Sequence, residues 1–412
     1  LLIVCLTGCE STPREAVPPN FVLIVVDDLR ADHLTSYGYE RDTTPFLATL
    51  GERGVVFDKV VSHSSWTKSA MASLVSSLNP DAHLVRSAND VLSEDVDLLP
   101  EVLRERGYRT FGVHGNPWME SRFGFNQGYD AFIYAHWHND GIDAQRVVRE
   151  ALDWLGTSDE PFFMYLHFMD VHSPFIAPEG YEMFGKEGLD GYDGSIRYVD
   201  DQLEHLYGEL QSRGILDHTW LVFTSDHGEE FGEHGTPDHG HGVTLYREVL
   251  DVPLILHHRR ETPTTRRLSR QVRLIDVAPT ILDLADIAPP SSMQGQSLKA
   301  DLRGEGPGDD WIAVSRVGGN AASPDSDLFS FTTPRFKYIV DFWKDTEELY
   351  DLRTDPSELN NIVEEQPEAA ARLREQALRH RDTLQSAAGD AGGTAEIDDE
   401  LRERLRALGY LK

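Results

Sequence analysis

Cysteine is almost missing from this chain. Its 412 residues include two, Cys5 and Cys9, both among the first ten. The remainder therefore has no disulfide, no thiolate metal site and no cysteine nucleophile. Basic residues are scarce as well: 38 Lys and Arg stand against 70 Asp and Glu, a formal net charge of −32. Such a surface excludes nucleic acid as a partner and excludes electrostatic attachment to anionic lipid. It also repels an anionic substrate at long range, although salt screens that repulsion beyond about 8 Å. Any anion site must supply its positive charge locally. Beyond the first residues, no run reaches the ~18 to 20 uninterrupted apolar residues of a membrane span.

Several shorter apolar runs are present. FVLIVVDD (21–28) is continuous and ends in two aspartates, the pattern of a strand buried on both faces. TFGVH (110–114), FFMYLHF (162–168), WLVFTSD (220–226) and VPLIL (252–256) repeat that character. Helical patterns lie between them. The clearest spans 193–213, where Ile196, Val199, Leu203, Leu206 and Leu210 recur at three- and four-residue steps, with Asp193 at its start and Gly214 past its end. Strands alternating with helices predict an α/β protein: a three-layer α/β/α sandwich around a large, mostly parallel sheet. A Pro/Gly-rich stretch near 288–310 predicts a boundary. After it come the strand-like pieces WIAVS, LFSFTT and KYIVDF and a charged helix over 367–388, a smaller α+β subdomain. The expected organisation is a signal remnant (1–9), a Pro-rich tether (10–20), a catalytic domain (21–295), the subdomain (296–390) and a linker with a terminal amphipathic segment (391–412).

In α/β sheets functional side chains gather at the carboxyl ends of strands. Here one run ends in Asp27-Asp28, another in Asp226-His227, and a third in His167 followed by Asp170 and His172. A single Asp after a strand commonly caps a helix. Two adjacent acidic pairs with imidazoles instead suit a hard or borderline divalent cation such as Ca²⁺, Mn²⁺ or Zn²⁺. SSWTKSAMASL (64–74) enters a helical stretch over 69–78, and Thr67 either caps that helix or does chemistry.

These residues stand within VLIVVDDLRADHLTSYGY, TTPFLATLGERGVVFDKVVS, GYRTFGVHGNPWM, HFMDVHSPF, TSDHGEEFGEHG, HGHGVTLYREVLDVPLIL, IDVAPTILDLADI and ELYDLRTDPSE. From about residue 20 onward the chain resembles the sulfatase family, within the alkaline-phosphatase-like superfamily. The resemblance implies one divalent metal ion, Ca²⁺ foremost with Mn²⁺ or Zn²⁺ as alternatives, on Asp27, Asp28, Thr67, Asp226 and His227. It implies Thr67 as nucleophile and His172 and His241 as groups contacting the substrate. His114 and Asn116 stand where many sulfatases have Lys and His, and Lys68 is a further substrate-binding candidate. His63, His234 and His239 read as supporting or surface residues. The loops 117–143 and 173–192 read as pocket walls, and their aromatics Trp118, Trp137 and Tyr181 either stack on a sugar or simply pack.

One departure matters. Formylglycine-dependent sulfatases carry Cys-x-Pro-x-Arg or Ser-x-Pro-x-Arg, and here Thr67, Ser69 and Met71 fill those places. An unmodified threonine hydroxyl is expected, and threonine serves as nucleophile in phosphoryl-transferring branches of the superfamily. The expected substrate is a small-molecule or glycan sulfate ester, or a chemically similar phosphate or phosphonate ester. A phosphoryl or phosphoethanolamine-type transferase and a non-catalytic, lipid-tethered anion-binding protein remain alternatives. LLIVCLTGC resembles the lipobox of bacterial lipoproteins, with Cys9 as the lipidation site. A cleaved secretory signal or a stray hydrophobic start is the alternative; export is expected with or without the anchor, and membrane contact only through that lipid.

Overall fold

The computed structural model describes residues 18–135, 144–156, 160–235, 240–262, 264–306, 311–320, 323, 325–386, 392–408 and 410. Cys9 and the tether up to residue 17, residues 136–143 of the loop 117–143 with Trp137, and His239 lie outside the described residues.

The buried apolar runs become neighbouring strands. β1 (Asn20–Val26), β2 (Val55–Val61), β3 (Arg109–His114), β4 (Ala131–Tyr134), β5 (Phe162–Phe168), β6 (Thr219–Thr224), β7 (Leu254–His257) and β8 (Arg266–Arg273) form one sheet in the order β4-β3-β5-β1-β6-β7-β2-β8. β1 runs parallel to β5 and β6, whereas β7 opposes both β6 and β2. β1 shows why the layers are three. Phe21, Leu23 and Val25 enter one hydrophobic core while Val22, Ile24 and Val26 enter the other. A side-chain period of two feeds both faces, so helices must cover both.

The long helix is Gly188–Ser212, and Ile196, Val199, Leu203, Leu206 and Leu210 are its buried face, as their spacing predicts. It begins earlier than Asp193. Asp193 is buried inside it, 2.8 Å from His33 Nδ1 and from the Tyr39 hydroxyl, so it serves a tertiary network and not a cap. β8 escapes a hydropathy reading because it carries Arg266, Arg267, Arg270 and Arg273. It is an edge strand, where charge is tolerated and discourages further pairing.

The smaller sheet, β9 (Ala313–Gly318), β10 (Asp327–Thr332), β11 (Phe336–Asp341) and β12 (Thr346–Asp351), is antiparallel in the order β12-β11-β10-β9. The helix Pro367–Ser386 covers one face, packing Ala370, Leu373 and Ala377 on Phe329, Phe331, Tyr338 and Leu349. The last helix, Asp399–Ala407, is capped by Asp398, whose carboxylate accepts from Leu401 N–H at 2.8 Å. It buries Leu401, Leu405 and Leu408 in the larger core and so directs residue 410 back toward the main sheet.

Candidate active site

Four segments meet at the carboxyl edge of the main sheet. After β1 come Asp27 and Asp28, after β5 His172, and after β6 Asp226 and His227; β5 itself ends in His167-Phe168. The fourth is the helix Thr67–Ser76. Thr67 is its first residue, and Trp66 before it is extended and makes no side-chain cap. The Thr67 hydroxyl does not cap the helix: Oγ1 lies 3.1 Å from His227 Nε2 and 3.4 Å from Asp27 Oδ1. It is wholly buried. The unpaired N–H groups of that first turn favour negative charge beside it.

The acidic doublet does not act as a unit. Asp28 has φ 61°, a left-handed conformation that Asp tolerates, and it breaks the course of the strand. Tyr192 holds this turn, donating its hydroxyl to Asp28 O at 2.7 Å and accepting from Arg30 N–H at 2.9 Å. Asp27, Asp226 and His227 converge with ligand atoms within 4.8 Å of one another, and Thr67 joins them; Asp28 converges with His172 and His241, and its Oδ1 also lies 3.0 Å from His227 Nδ1, so His227 links the two groups.

Asp27 is fixed from its far side. His167 Nε2 lies 3.0 Å and Asn116 Nδ2 2.7 Å from Oδ2, leaving Oδ1 toward Thr67. The Tyr165 hydroxyl bonds His167 Nδ1 in turn. Burial would raise the Asp27 carboxyl, but the hydrogen bond and charge of His167, then His172 and His227, hold it well below the ordinary range. His227 turns Nδ1 to Gly228 O at 3.0 Å, which presents Nε2 to Thr67 and to Asp226 Oδ2, 3.4 Å away. Burial, with Asp27 beside it, pushes the Asp226 carboxyl upward.

Asp28 Oδ1 is 3.3 Å from His241 Nδ1, and Asp28 Oδ2 is 3.6 Å from His172 Nε2. Burial and the neighbouring Glu229, Asp27 and Asp226 push its carboxyl well above the usual value, against the pull of His241. Burial lowers His172 to about 4. His241 goes the other way: burial disfavours its charge, but Asp28 and Glu229 push it up to about 9. Glu229, buried and 3.0 Å from His241 Nδ1, belongs to the site although sequence reading passed over it. Its signal was present, an acid two positions after His227.

The residues fit a divalent cation. Asp226 Oδ2 and both Asp28 carboxylate oxygens are buried without a hydrogen-bond partner, the state of atoms shaped for a ligand and not for the protein. Carboxylate oxygens, an imidazole nitrogen and a hydroxyl are the donors such an ion takes.

Other expectations are redirected. Lys68 is wholly buried, with Nζ donating to Ala88 O at 2.7 Å and 3.6 Å from the centre of the Phe123 ring. Its stem follows the hydrophobic wall, so its amino group is spent on that carbonyl and not on the carboxylate set. His114 is buried and stacked against Phe132 and Tyr134, with Nδ1 on Asn116 O at 2.9 Å. Burial lowers it to about 3. It supports Asn116, and Asn116 in turn holds Asp27. Trp118 is no pocket wall: it is fully buried against Trp66, Phe123 and Tyr410. Tyr181 bonds Asp201 at 3.0 Å and packs on Tyr198. A cleft of about 450 Å³ beside His114 is walled instead by Phe132, Tyr134, Arg122 and Arg404, and both arginines are paired with Glu120. His234 stacks on Tyr246 and bonds Glu248, and His63 is buried with its carbonyl accepting from Arg316 N–H.

Tyr410 is the residue that local sequence offered no way to find. The docked last helix delivers it to the site, where its hydroxyl accepts from Asn116 Nδ2 at 2.9 Å and bonds Thr67. Its ring centroid lies 4.9 Å from that of His172 and 5.7 Å from that of His241.

Comparison with known proteins identifies the family. Residues 19–287 match the sulfatase family model, and residues 232–383 match a model described as N-sulphoglucosamine sulphohydrolase, C-terminal. An uncharacterized sulfatase, YidJ of Escherichia coli K12, is 23% identical over 429 residues, covering 84% of this chain and 83% of its own length. A solved structure in complex with its substrate D-glucosamine-2-N,6-O-disulfate superposes with a TM-score of 0.76 at 20% identity, covering 90% of this chain and 98% of that one. The phosphonate monoester hydrolase of Agrobacterium radiobacter superposes with a TM-score of 0.74 at 20% identity, covering 89% and 96%. With the family model spanning well over half of its length, the chain belongs to the sulfatase family and is an ester-hydrolysing enzyme.

Proposed function

We propose that this enzyme is a metal-dependent hydrolase of a sulfate ester, or of a similar phosphate or phosphonate ester, with the unmodified Thr67 hydroxyl as nucleophile. The observation that carries the reading is Thr67 Oγ1, buried at a helix N-terminus between Asp27 and His227. Asp27, Asp226, His227 and Thr67 would hold one divalent cation, calcium foremost with manganese or zinc as alternatives, which supplies Lewis-acid charge that makes the hydroxyl more acidic.

The chain's own residues do the rest. His167 and Asn116 orient Asp27, and the first turn of the helix favours the incoming anion. Thr67 Oγ1 loses its proton to water and bonds to sulfur or phosphorus, while the bond from that atom to the alcohol oxygen breaks. The departing alkoxide leaves toward the wall of His172 and His241 and takes up a proton on that side. Water then attacks the same atom, and Thr67 Oγ1 departs and is reprotonated, the two-step course of covalent catalysis. Formylglycine hydrate has a second hydroxyl to expel sulfate; threonine has none, so the second step depends on that water.

The alcohol is that of a small molecule or glycan, in keeping with the sulfated sugar bound to one structural neighbour. A metal-reconstituted screen of p-nitrophenyl sulfate, phosphate and phenylphosphonate tests the reading. Turnover of at least one ester is expected. Cleavage of none, with an anion still raising the melting temperature, establishes a binding protein. The lipobox-like residues before Cys9 carry the companion reading of export with a lipid anchor. Labelling of the full-length precursor with radioactive palmitate, lost in Cys9→Ala, tests it.

A further inference from the structure

The proposed nucleophile is sealed. Thr67 and Asn116 are wholly buried, and the phenol of Tyr410 lies against both. We infer that the Tyr410 hydroxyl stands in the seat of one non-bridging oxygen of the ester, so that Tyr410 is a substrate-contacting residue that gates Thr67. This rests on the hydrolase reading for the identity of the nucleophile, but its test needs no turnover.

Space supplies the first argument. A sulfur or phosphorus atom placed for attack lies about 3 to 3.5 Å from the attacking oxygen. The polar neighbours of Thr67 Oγ1 are His227 Nε2 at 3.1 Å, Asp27 Oδ1 at 3.4 Å and the Tyr410 hydroxyl. The first two belong to the candidate metal set. The place beside Oγ1 that is left for an ester anion is therefore the one the phenol fills.

Donors supply the second. Asn116 is not free to turn over, because its Oδ1 accepts from Trp118 N–H at 2.9 Å. Nδ2 is thus fixed as the donor, with one hydrogen on Asp27 Oδ2 at 2.7 Å and the other on the Tyr410 oxygen at 2.9 Å. That second N–H, with the unpaired N–H groups of the helix turn that begins at Thr67, suits an anionic oxygen. Charge-assisted hydrogen bonds are about twice as strong as neutral ones, so an arriving sulfuryl or phosphoryl oxygen displaces a neutral phenol.

The way Tyr410 is held supplies the third. Its helix is anchored by Leu401, Leu405 and Leu408 in the larger core and by Asp398 on Arg122 at 2.7 Å, and Tyr410 N–H bonds Leu405 O at 2.9 Å. Among the described residues, the hydroxyl itself is held by Asn116 and Thr67, and the ring by edge contacts with Trp118, His172 and His241. Rotation of this one side chain uncovers Thr67 while the helix stays docked. At rest the ring keeps water from the nucleophile; with the ester bound, the displaced hydroxyl has an anionic oxygen as its acceptor.

The test is the entry of an anion. Metal-loaded full-length protein is mixed with vanadate or inorganic phosphate by stopped flow, and binding is followed by tryptophan fluorescence, since Trp118 packs on Tyr410. In the wild type the binding rate levels off as anion concentration rises, because opening precedes entry. Tyr410→Phe keeps the ring and loses the hydroxyl contacts. Its plateau rate is about tenfold higher, the worth of one hydrogen bond, although its turnover is lower. A residue that only packs does not move the two rates in opposite directions. Circular dichroism checks the fold. In crystals soaked with vanadate, an anion oxygen takes the place of the phenol on Asn116 Nδ2 and Tyr410 is turned aside. Binding rates that are linear in concentration and equal in both proteins overturn the gate, and an anion on Thr67 with Tyr410 unmoved overturns the seat. Either result leaves the hydrolase reading intact. An anion seated as expected, with no ester cleaved, removes that reading alone, and no anion bound by either protein overturns both.

Discussion

Two groups of buried carboxylates in this molecule contrast. Beside the C-terminal sheet, Glu358 meets Lys337 Nζ at 2.9 Å and Asp81 lies between Arg86 and Arg316, so both are closed by fixed cations. At the carboxyl edge of the main sheet, Asp27, Asp28, Asp226 and Glu229 meet histidines and one another. A buried charge is costly unless compensated. The first region compensates within the chain and is architecture. The second is left for a partner that the chain does not encode, and that is what makes it a site.

Substitutions in the two regions should therefore separate chemistry from stability. Thr67→Ala is expected to have the largest effect, a loss of turnover on the order of 10³-fold or more with unchanged circular dichroism, as when a covalent nucleophile is removed. Wild-type rates in this variant would place the nucleophile elsewhere. Lys337→Met should do the reverse. It strands Glu358 without its cation and costs about 3 kcal/mol in urea unfolding at pH 8, while bound metal is unchanged. Burial, opposed by Lys337, raises Glu358 to about 7. At pH 5.5 the carboxyl is protonated and the penalty of the variant should shrink.

Tyr410→Phe probes where the regions join. Loss of the hydroxyl shared by Asn116 and Thr67 should lower kcat roughly tenfold, the worth of one hydrogen bond near a charged group, with little change in melting temperature. A rate within error of wild type would make Tyr410 a packing residue only. Lys68→Met should have the smallest effect on activity, within about threefold of wild type, as expected of a contact outside the reacting groups. Burial, which outweighs Asp90, lowers Lys68 from 10.5 to about 6. The unfolded chain thus binds a proton that the folded chain lacks between those values, and wild-type stability rises with pH on this account. The thermal advantage of Lys68→Met should therefore be larger at pH 7 than at pH 9.

Much of the site lay near the surface of the sequence. Asp27, His172, Asp226 and His227 follow continuous apolar runs, and a parallel sheet gathers the ends of such runs on one edge. What was hidden depended on distance or on conformation. Asp28 adjoins Asp27 in sequence, but the left-handed turn also sets its carboxylate beside His172 and His241, as well as His227. Lys68 adjoins Thr67 in sequence, but successive helical residues point about 100° apart, and its Nζ ends on Ala88 O. β8 was obscured by four arginines that only an edge strand accommodates.

Hydrophobic periodicity alone specified a sheet covered on both faces, its mostly parallel order and the long amphipathic helix, because burying alternate or every third and fourth side chain is a local property of the chain. The division of the carboxylates into two groups and the arrival of Tyr410 beside Thr67 came from packing across the whole fold. Chain entropy gives no clue to such long-range meetings, since they exist only once the core has brought distant segments within a few ångströms.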